Sequence, residues 1–157
     1  MATRLHHSAI VAHDLDSSIS FYRDGIGLEV LMDHVFEGDW PGLFDAPSTH
    51  LRSVFLGDRR HPDAGVVELV VFGGDNSPVS AAPGASSAGP GFFLLSFYVD
   101  VDAVLHRLDA LGFGPARRIE QPAPTGFVTM ASLSDPDGVR IELVDIGAVS
   151  GSGAGAG

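Results

Sequence analysis

Read for its apolar positions, the chain spells out one series of elements twice. LHHSAIVAHD (5–14) is β-branched and apolar in its middle and predicts a strand. DLDSSISFYRDGIG (14–27) puts Leu15, Ile19 and Tyr22 on one helical face, with Phe21 and Ile26 at its edges. Asp14 or Asp16 supplies the N-cap, and Gly25 and Gly27 the stop. LEVLMDHVF (28–36) and HLRSVFLGD (50–58) predict strands on either side of a Trp/Pro/Gly loop. GVVELVVFG (65–73) predicts a short buried strand, from its length and valine content. The series then restarts. FFLLSFYVD (92–100) predicts a strand, and VDAVLHRLDALGFG (101–114) a helix with apolar positions at 101, 104, 105, 108 and 111. RRIEQP (117–122), GFVTMASLSD (126–135) and VRIELVDI (139–146) predict three more strands. DPDG (135–138) is a turn, with Pro second and Gly fourth.

Each half therefore reads β-α-β-β-β, an internal repeat of roughly 70 residues. IVAHDLDSSISFYRDGIG aligns with FYVDVDAVLHRLDALGFG if one residue is missing near Asp100, and VVELV aligns with RIELV. The expected organisation is a first module over 4–73, a Gly/Ala/Ser/Pro linker over 74–91, a second module over 92–146 and a disordered tail over 147–157. Neither half has enough strands to cover its own sheet. The predicted fold is thus α+β: two tandem βαβββ modules forming paired curved mixed sheets around a cleft, the natural place for a ligand.

Composition narrows the function. The 157 residues suit one domain or two small modules, and 45% hydrophobic with 18% charged residues describes a soluble globular chain. A formal net charge of −11 repels phosphate backbones and argues against nucleic acid as a partner. Arginines come in pairs at Arg59–Arg60 and Arg117–Arg118, a pattern expected of solvated surface. With no cysteine there is no disulfide, thiolate nucleophile or Cys-ligated zinc, which fits a reducing cytoplasm. The first residues, MATRLHHSAIVAHD, carry no long apolar stretch of the secretory kind, and no apolar run approaches the roughly 18 residues of a membrane helix.

Two carboxylates stand out. Glu68 and Glu142 occupy matching places inside apolar strands, where an unpaired buried charge is costly. Each needs a metal, a partner cation, a raised pKa or a strand face open to water. Two acids facing one cleft can also share a proton, leaving one as general acid or base.

The run from His7 to Leu28, H-x-x-x-x-x-x-D-L-D-x-S-x-x-F-Y-R-D-x-x-G-L, and the D-P-D-G-x-x-I-E-L ending resemble the vicinal oxygen chelate superfamily. That superfamily includes glyoxalase I, methylmalonyl-CoA epimerase, fosfomycin and bleomycin resistance proteins, and extradiol dioxygenases. The resemblance covers about residues 4–146. It implies a homodimer and, in metal-using members, one ligand from the first and one from the last strand of each module. Those slots fall on His7, Glu68, a third position and Glu142. Aligning Phe97 with Ile10 puts Leu94 in the third slot; aligning Asp100 with Asp14 puts Phe93 there. Neither binds metal. His7, Glu68 and Glu142 remain as a three-ligand set for Zn, Ni, Mn or Fe, with His50 a distant replacement candidate. His6, next to His7, should face the other way on a regular strand.

The resemblance implies a His in the third slot, on which dioxygenases and fosfomycin-type transferases rely, so its loss here counts against both activities. It leaves two readings. In the first, the chain is a lyase or isomerase of the glyoxalase or epimerase type acting on a small carbonyl compound, with Glu142 or Glu68 as base and His7 or a metal polarising the carbonyl. In the second, it is a metal-free binding or resistance protein that sequesters a small aromatic or hydrophobic compound. Aromatic and apolar candidates for contact with such a ligand are Trp40, Phe44, Phe55, Leu94, Tyr98 and Phe127. Trp40 and Phe44 sit in EGDWPGLFDAPS, a candidate lid. With only nine Lys+Arg, a small, weakly charged substrate is expected.

Overall fold

The computed structural model describes residues 2–73, 89–124 and 126–147. The expected linker and tail fall outside the described residues, apart from 89–91 and Gly147. The chain divides into two compact units, 1–82 and 83–157.

The first unit runs β1 (His7–Val11), α1 (Leu15–Ile19), a π-helical continuation of α1 (Ser20–Ile26), β2 (Glu29–Glu37), α2 (Trp40–Phe44), β3 (His50–Gly57) and β4 (Val66–Phe72). Its sheet has the order β1-β4-β3-β2. β1 and β4 are parallel, while β4–β3 and β3–β2 are antiparallel. A parallel pair needs a long crossover, and everything from α1 to β3 lies in it. Of the two cap candidates, Asp14 does the capping: its carboxylate accepts the Ser17 N–H at 3.1 Å. The helix widens in its second half, where the Gly27 and Leu28 amides both donate to the Tyr22 carbonyl. Gly27 ends it at φ 100, a conformation glycine reaches without a Cβ clash.

Phe21 and Tyr22 are fully buried, with Leu15 and Ile26 beside them. Strand parity supplies the other half of this core, Ile10, Val54, Leu56 and Leu69, all buried. Each such side chain stabilises the fold by about 1.5–3 kcal/mol. β4, inside the sheet, is buried continuously from Val66 to Val70, which explains its near-unbroken valine run.

The second unit repeats the plan: β5 (Leu95–Val99), α3 (Val101–Ala110), β6 (Arg117–Ala123), β7 (Gly126–Ser134) and β8 (Arg140–Asp145), in sheet order β5-β8-β7-β6. Asp100 caps α3 by accepting the Ala103 N–H at 2.9 Å, the counterpart of Asp14. Val101, Val104 and Leu108 of α3 are buried, as are Ala131, Leu133, Ile141 and Leu143 of the sheet. Both sheets are mixed and four-stranded, as the α+β reading requires.

Three local differences from the sequence reading stand out. The helix over 101–114 stops at Ala110, so Leu111 lies past it and is 43% exposed. The strand over 92–100 begins only at Leu95. The Trp/Pro/Gly loop holds α2, which Asp39 caps by accepting the Gly42 N–H at 2.9 Å. Among the described residues, no helix is long and apolar enough to cross a membrane.

Candidate active site

In the first unit, β-strand parity gathers His7, Ser53, Phe55 and Glu68 on the sheet face away from α1. Glu68 lies directly across β1–β4 from Ala9 and across β3–β4 from Phe55. Its carboxylate is engaged at both oxygens. Oε1 accepts the Ser53 hydroxyl at 2.5 Å, and Oε2 lies 3.2 Å from His7 Nε2. Ser53 and Glu68 are both buried. Burial of this acid is thus offset by a hydroxyl and an imidazole. The Phe55 ring packs against His7 at 5.3 Å between centroids.

His6 does not turn away as expected. Its Nδ1 lies 2.7 Å from His7 Nδ1, and its ring meets Phe55 at 5.8 Å. β1 begins only at His7, so the alternation of a regular strand does not extend to His6. His50 shares the parity of Val54 and Leu56 and therefore faces the α1 side, away from Glu68.

In the second unit, Glu142 lies on the face away from α3. Its Oε2 accepts the Ser96 hydroxyl at 2.6 Å. Ser96 is its neighbour across β5–β8, Ser132 its neighbour across β8–β7, and Arg117 the neighbour of Ser132 across β7–β6. One polar row, Ser96–Glu142–Ser132–Arg117, thus crosses all four strands at about 4.8 Å per step. Apolar residues frame it: Leu94 on one side, Met130 and Ile119 on the other. Together they line a concavity of about 690 Å³ with Phe93, Pro115 and Arg140. The Arg140 guanidinium sits over the Phe93 ring, 4.6 Å from its centroid.

The register also decides which residue stands in the third slot. Ala9 faces Glu68 and Ser96 faces Glu142, so Ser96 corresponds to Ala9 and Leu94 to His7. The residue missing from the second repeat lies after this point, before Asp100. Of the four ligand slots the resemblance implies, the first unit therefore fills its two with an imidazole and a carboxylate, and the second fills its two with an alkyl group and a carboxylate. Among the described residues, no three His, Cys, Asp or Glu side chains are grouped to hold a metal ion. The donor set does not fit the four-ligand arrangement.

The other candidates are placed as follows. Leu94 lines the concavity. Tyr98 lies on the same face as Glu142, one row further, and is 65% exposed. Phe127 is not among the residues that line the concavity and is 72% exposed. Trp40 and Phe44 stack on each other at 6.0 Å, and the Trp40 indole donates to the Phe36 carbonyl at 3.3 Å. Arg117, Arg140 and Ser96 escaped the sequence reading. Arg117 and Arg118 read as one solvated pair, yet neighbouring residues on β6 face opposite ways. Arg118 pairs with Asp102 and Glu120, while Arg117 lines the concavity. The signal that could have separated them was the alternation of Arg117 with Ile119 along the strand.

Known proteins agree with this architecture. A glyoxalase family protein from Bacillus cereus superposes with a TM-score of 0.70 at 22% identity, covering 92% of this chain and 95% of its own. A trypanothione-dependent glyoxalase I from Leishmania major superposes with a TM-score of 0.62 at 26% identity, covering 96% of this chain and 91% of its own. Lactoylglutathione lyase-like protein terB of Aspergillus terreus is 35% identical over 149 residues, 89% of this chain and 74% of its own. The sequence profile of one superfamily matches residues 4–143. By that match and by its fold, the chain belongs to the Glyoxalase/Bleomycin resistance protein/Dioxygenase superfamily.

Proposed function

We propose that this chain is a lyase or isomerase acting on a small carbonyl compound bound in the concavity of the second unit, with Glu142 as the base. The supporting observation is the difference between the two carboxylates. Both oxygens of Glu68 are engaged, by Ser53 and His7. Glu142 lines the concavity and is hydrogen-bonded through Oε2 alone, which leaves Oε1 without a hydrogen-bond donor among the described residues. A held carboxylate with one oxygen toward the ligand suits removal of a proton from carbon next to a carbonyl. The C–H electron pair moves into the carbonyl to give an enolate. Where the first carbon carries a hydroxyl, Glu142 returns the proton to the former carbonyl carbon while the hydroxyl proton passes to the former carbonyl oxygen. Where a leaving group sits on the carbon beyond, the enolate expels it with its electron pair. Arginine donors beside the concavity stabilise the oxygen on which charge develops. The relatives named for lactoylglutathione lyase activity make thiol adducts of α-oxo aldehydes the first compounds to test.

A second reading, sequestration without chemistry, is favoured by Phe93, Leu94, Ile119 and Met130, which make most of the concavity apolar. One experiment separates the two. Incubate the protein and Glu142→Gln with a panel of α-oxo aldehydes, with and without thiol, and follow the products by NMR. Turnover by the wild type and its loss in the variant support the enzyme. Tight binding with every compound recovered unchanged supports sequestration. The reading also carries a homodimer, as the resemblance implies; sedimentation at the mass of a monomer would remove that part.

A further inference from the structure

We infer that Arg117 is a specificity residue and that the substrate is a small carboxylic acid with an apolar body, an aryl or alkyl oxo-acid. The inference rests on the concavity of the second unit being the substrate site, as proposed above.

The chain has nine basic residues, all arginines, against 20 acids. With acids in such excess, an arginine at the surface finds a carboxylate easily, and most do. Arg4 pairs with Asp63, Arg23 with Asp24, Arg52 with Asp33, Arg59 with Glu29, Arg60 with Asp58, and Arg118 with Asp102 and Glu120. Arg140 lies over Phe93, and Arg107 has an interaction of its own. Arg117 has neither an ion pair nor a side-chain hydrogen bond with any described residue. It is also on the wall of the concavity.

Its place in the polar row gives the ligand its dimensions. Arg117 is two strands from Glu142, about 10 Å between backbones, with Ser132 between them. Guanidinium and carboxylate side chains reaching toward each other from those positions leave room for a few bonded atoms. A guanidinium fork matches a carboxylate in two parallel hydrogen bonds. A carboxylate on Arg117 therefore brings a carbon one or two bonds away toward Glu142. The rest of the ligand meets Leu94, Ile119, Met130 and Phe93, none of which offers a polar side-chain atom. This departs from the expectation of a weakly charged substrate. Few basic residues exist, but two of the nine line this one concavity.

The test uses phenylpyruvate and its neutral methyl ester as probes, with binding read by calorimetry on the full chain. The variants are Arg117→Met, Arg117→Lys and Glu142→Gln, each checked for an unchanged melting curve. The expected result is that wild type binds the acid at least about tenfold more tightly than the ester. Arg117→Met loses that preference, Arg117→Lys regains part of it, and added salt weakens the acid alone. Equal binding of acid and ester, an Arg117→Met variant that keeps the preference, or no binding of either probe at millimolar concentration overturns the inference. Failure here is separable from failure of the enzyme reading. If Glu142→Gln abolishes turnover of a neutral α-oxo aldehyde while the wild type binds phenylpyruvate and its ester equally, Glu142 is the base and Arg117 has no part in recognition.

Discussion

The two units are built to one plan, yet their open sheet faces are filled in opposite ways. The row through Glu68 reads Ala9–Glu68–Phe55–Met32, while the matching row through Glu142 reads Ser96–Glu142–Ser132–Arg117. In the first, an acid stands among apolar neighbours and is satisfied from adjacent rows, by Ser53 and His7. In the second, the acid has hydroxyls on both sides and an arginine at the end of the row. Similar carboxylates on similar strands thus receive different surroundings. One is buried and fully engaged; the other is half-buried and has an oxygen to offer. Duplication supplied the frame, and the flanking strands set what each copy of the acid can do.

The most severe test of this contrast compares the two acids. Glu142→Gln is expected to lower kcat by about 10²–10⁴-fold on whichever compound turns over, because the amide cannot take a proton. Glu68→Gln should cost much less activity, since its oxygens are held by Ser53 and His7. A larger loss in Glu68→Gln would move the chemistry to the first unit. Leu94→His is next in size. It restores an imidazole at the position matching His7, and Zn²⁺ affinity measured by chelator competition should rise well above that of the wild type. The wild type, purified without a tag, is expected to hold less than one divalent ion per chain. One ion per chain, lost on Glu142→Ala, would make Glu142 a ligand rather than a base.

Stability distinguishes the two serines. Ser53→Ala removes the hydroxyl donor from a buried carboxylate and should cost about 1–3 kcal/mol in urea denaturation. Ser96→Ala acts at an exposed residue and should change stability by under about 0.5 kcal/mol. Equal effects would erase the difference in burial on which the contrast rests. The smallest effect concerns an exposed pair in the first unit. Arg52 donates two hydrogen bonds to Asp33, at 3.0 and 2.9 Å, and holds its carboxyl below the usual carboxylate range. A lowered folded-state pKa means stability that is present above the unfolded value near 3.8 and lost as pH falls through the folded one. The Asp33 side chain is 40% exposed, so solvent screening limits the contribution to about 0.5 kcal/mol. The deficit of Asp33→Asn should be measurable at pH 7 and disappear once the pH has fallen below the folded-state pKa.

Much of this was legible in the chain itself. Apolar periodicity, the two aspartate caps and the repeated V-x-E-L-V and R-I-E-L-V strands determined the order of elements, the duplication and the fold class, because these depend on residues close in sequence. The pairing of acids in matching places was equally a local pattern. The alignment of the repeats near Asp100 was not. It left Leu94 and Phe93 open, and only the β5–β8 register, a contact between distant strands, chose Leu94. Arg117 shows the same limit more sharply. Beside Arg118 it looked like solvated surface; strand parity sets the two on opposite faces, but only the assembled sheet decides which face is the concave one. Tertiary structure decided which face each arginine took, which acid was fully engaged and which kept an oxygen free. The reason is that hydrogen-bond satisfaction is settled by neighbours across strands, and those neighbours are brought together only when the sheet forms.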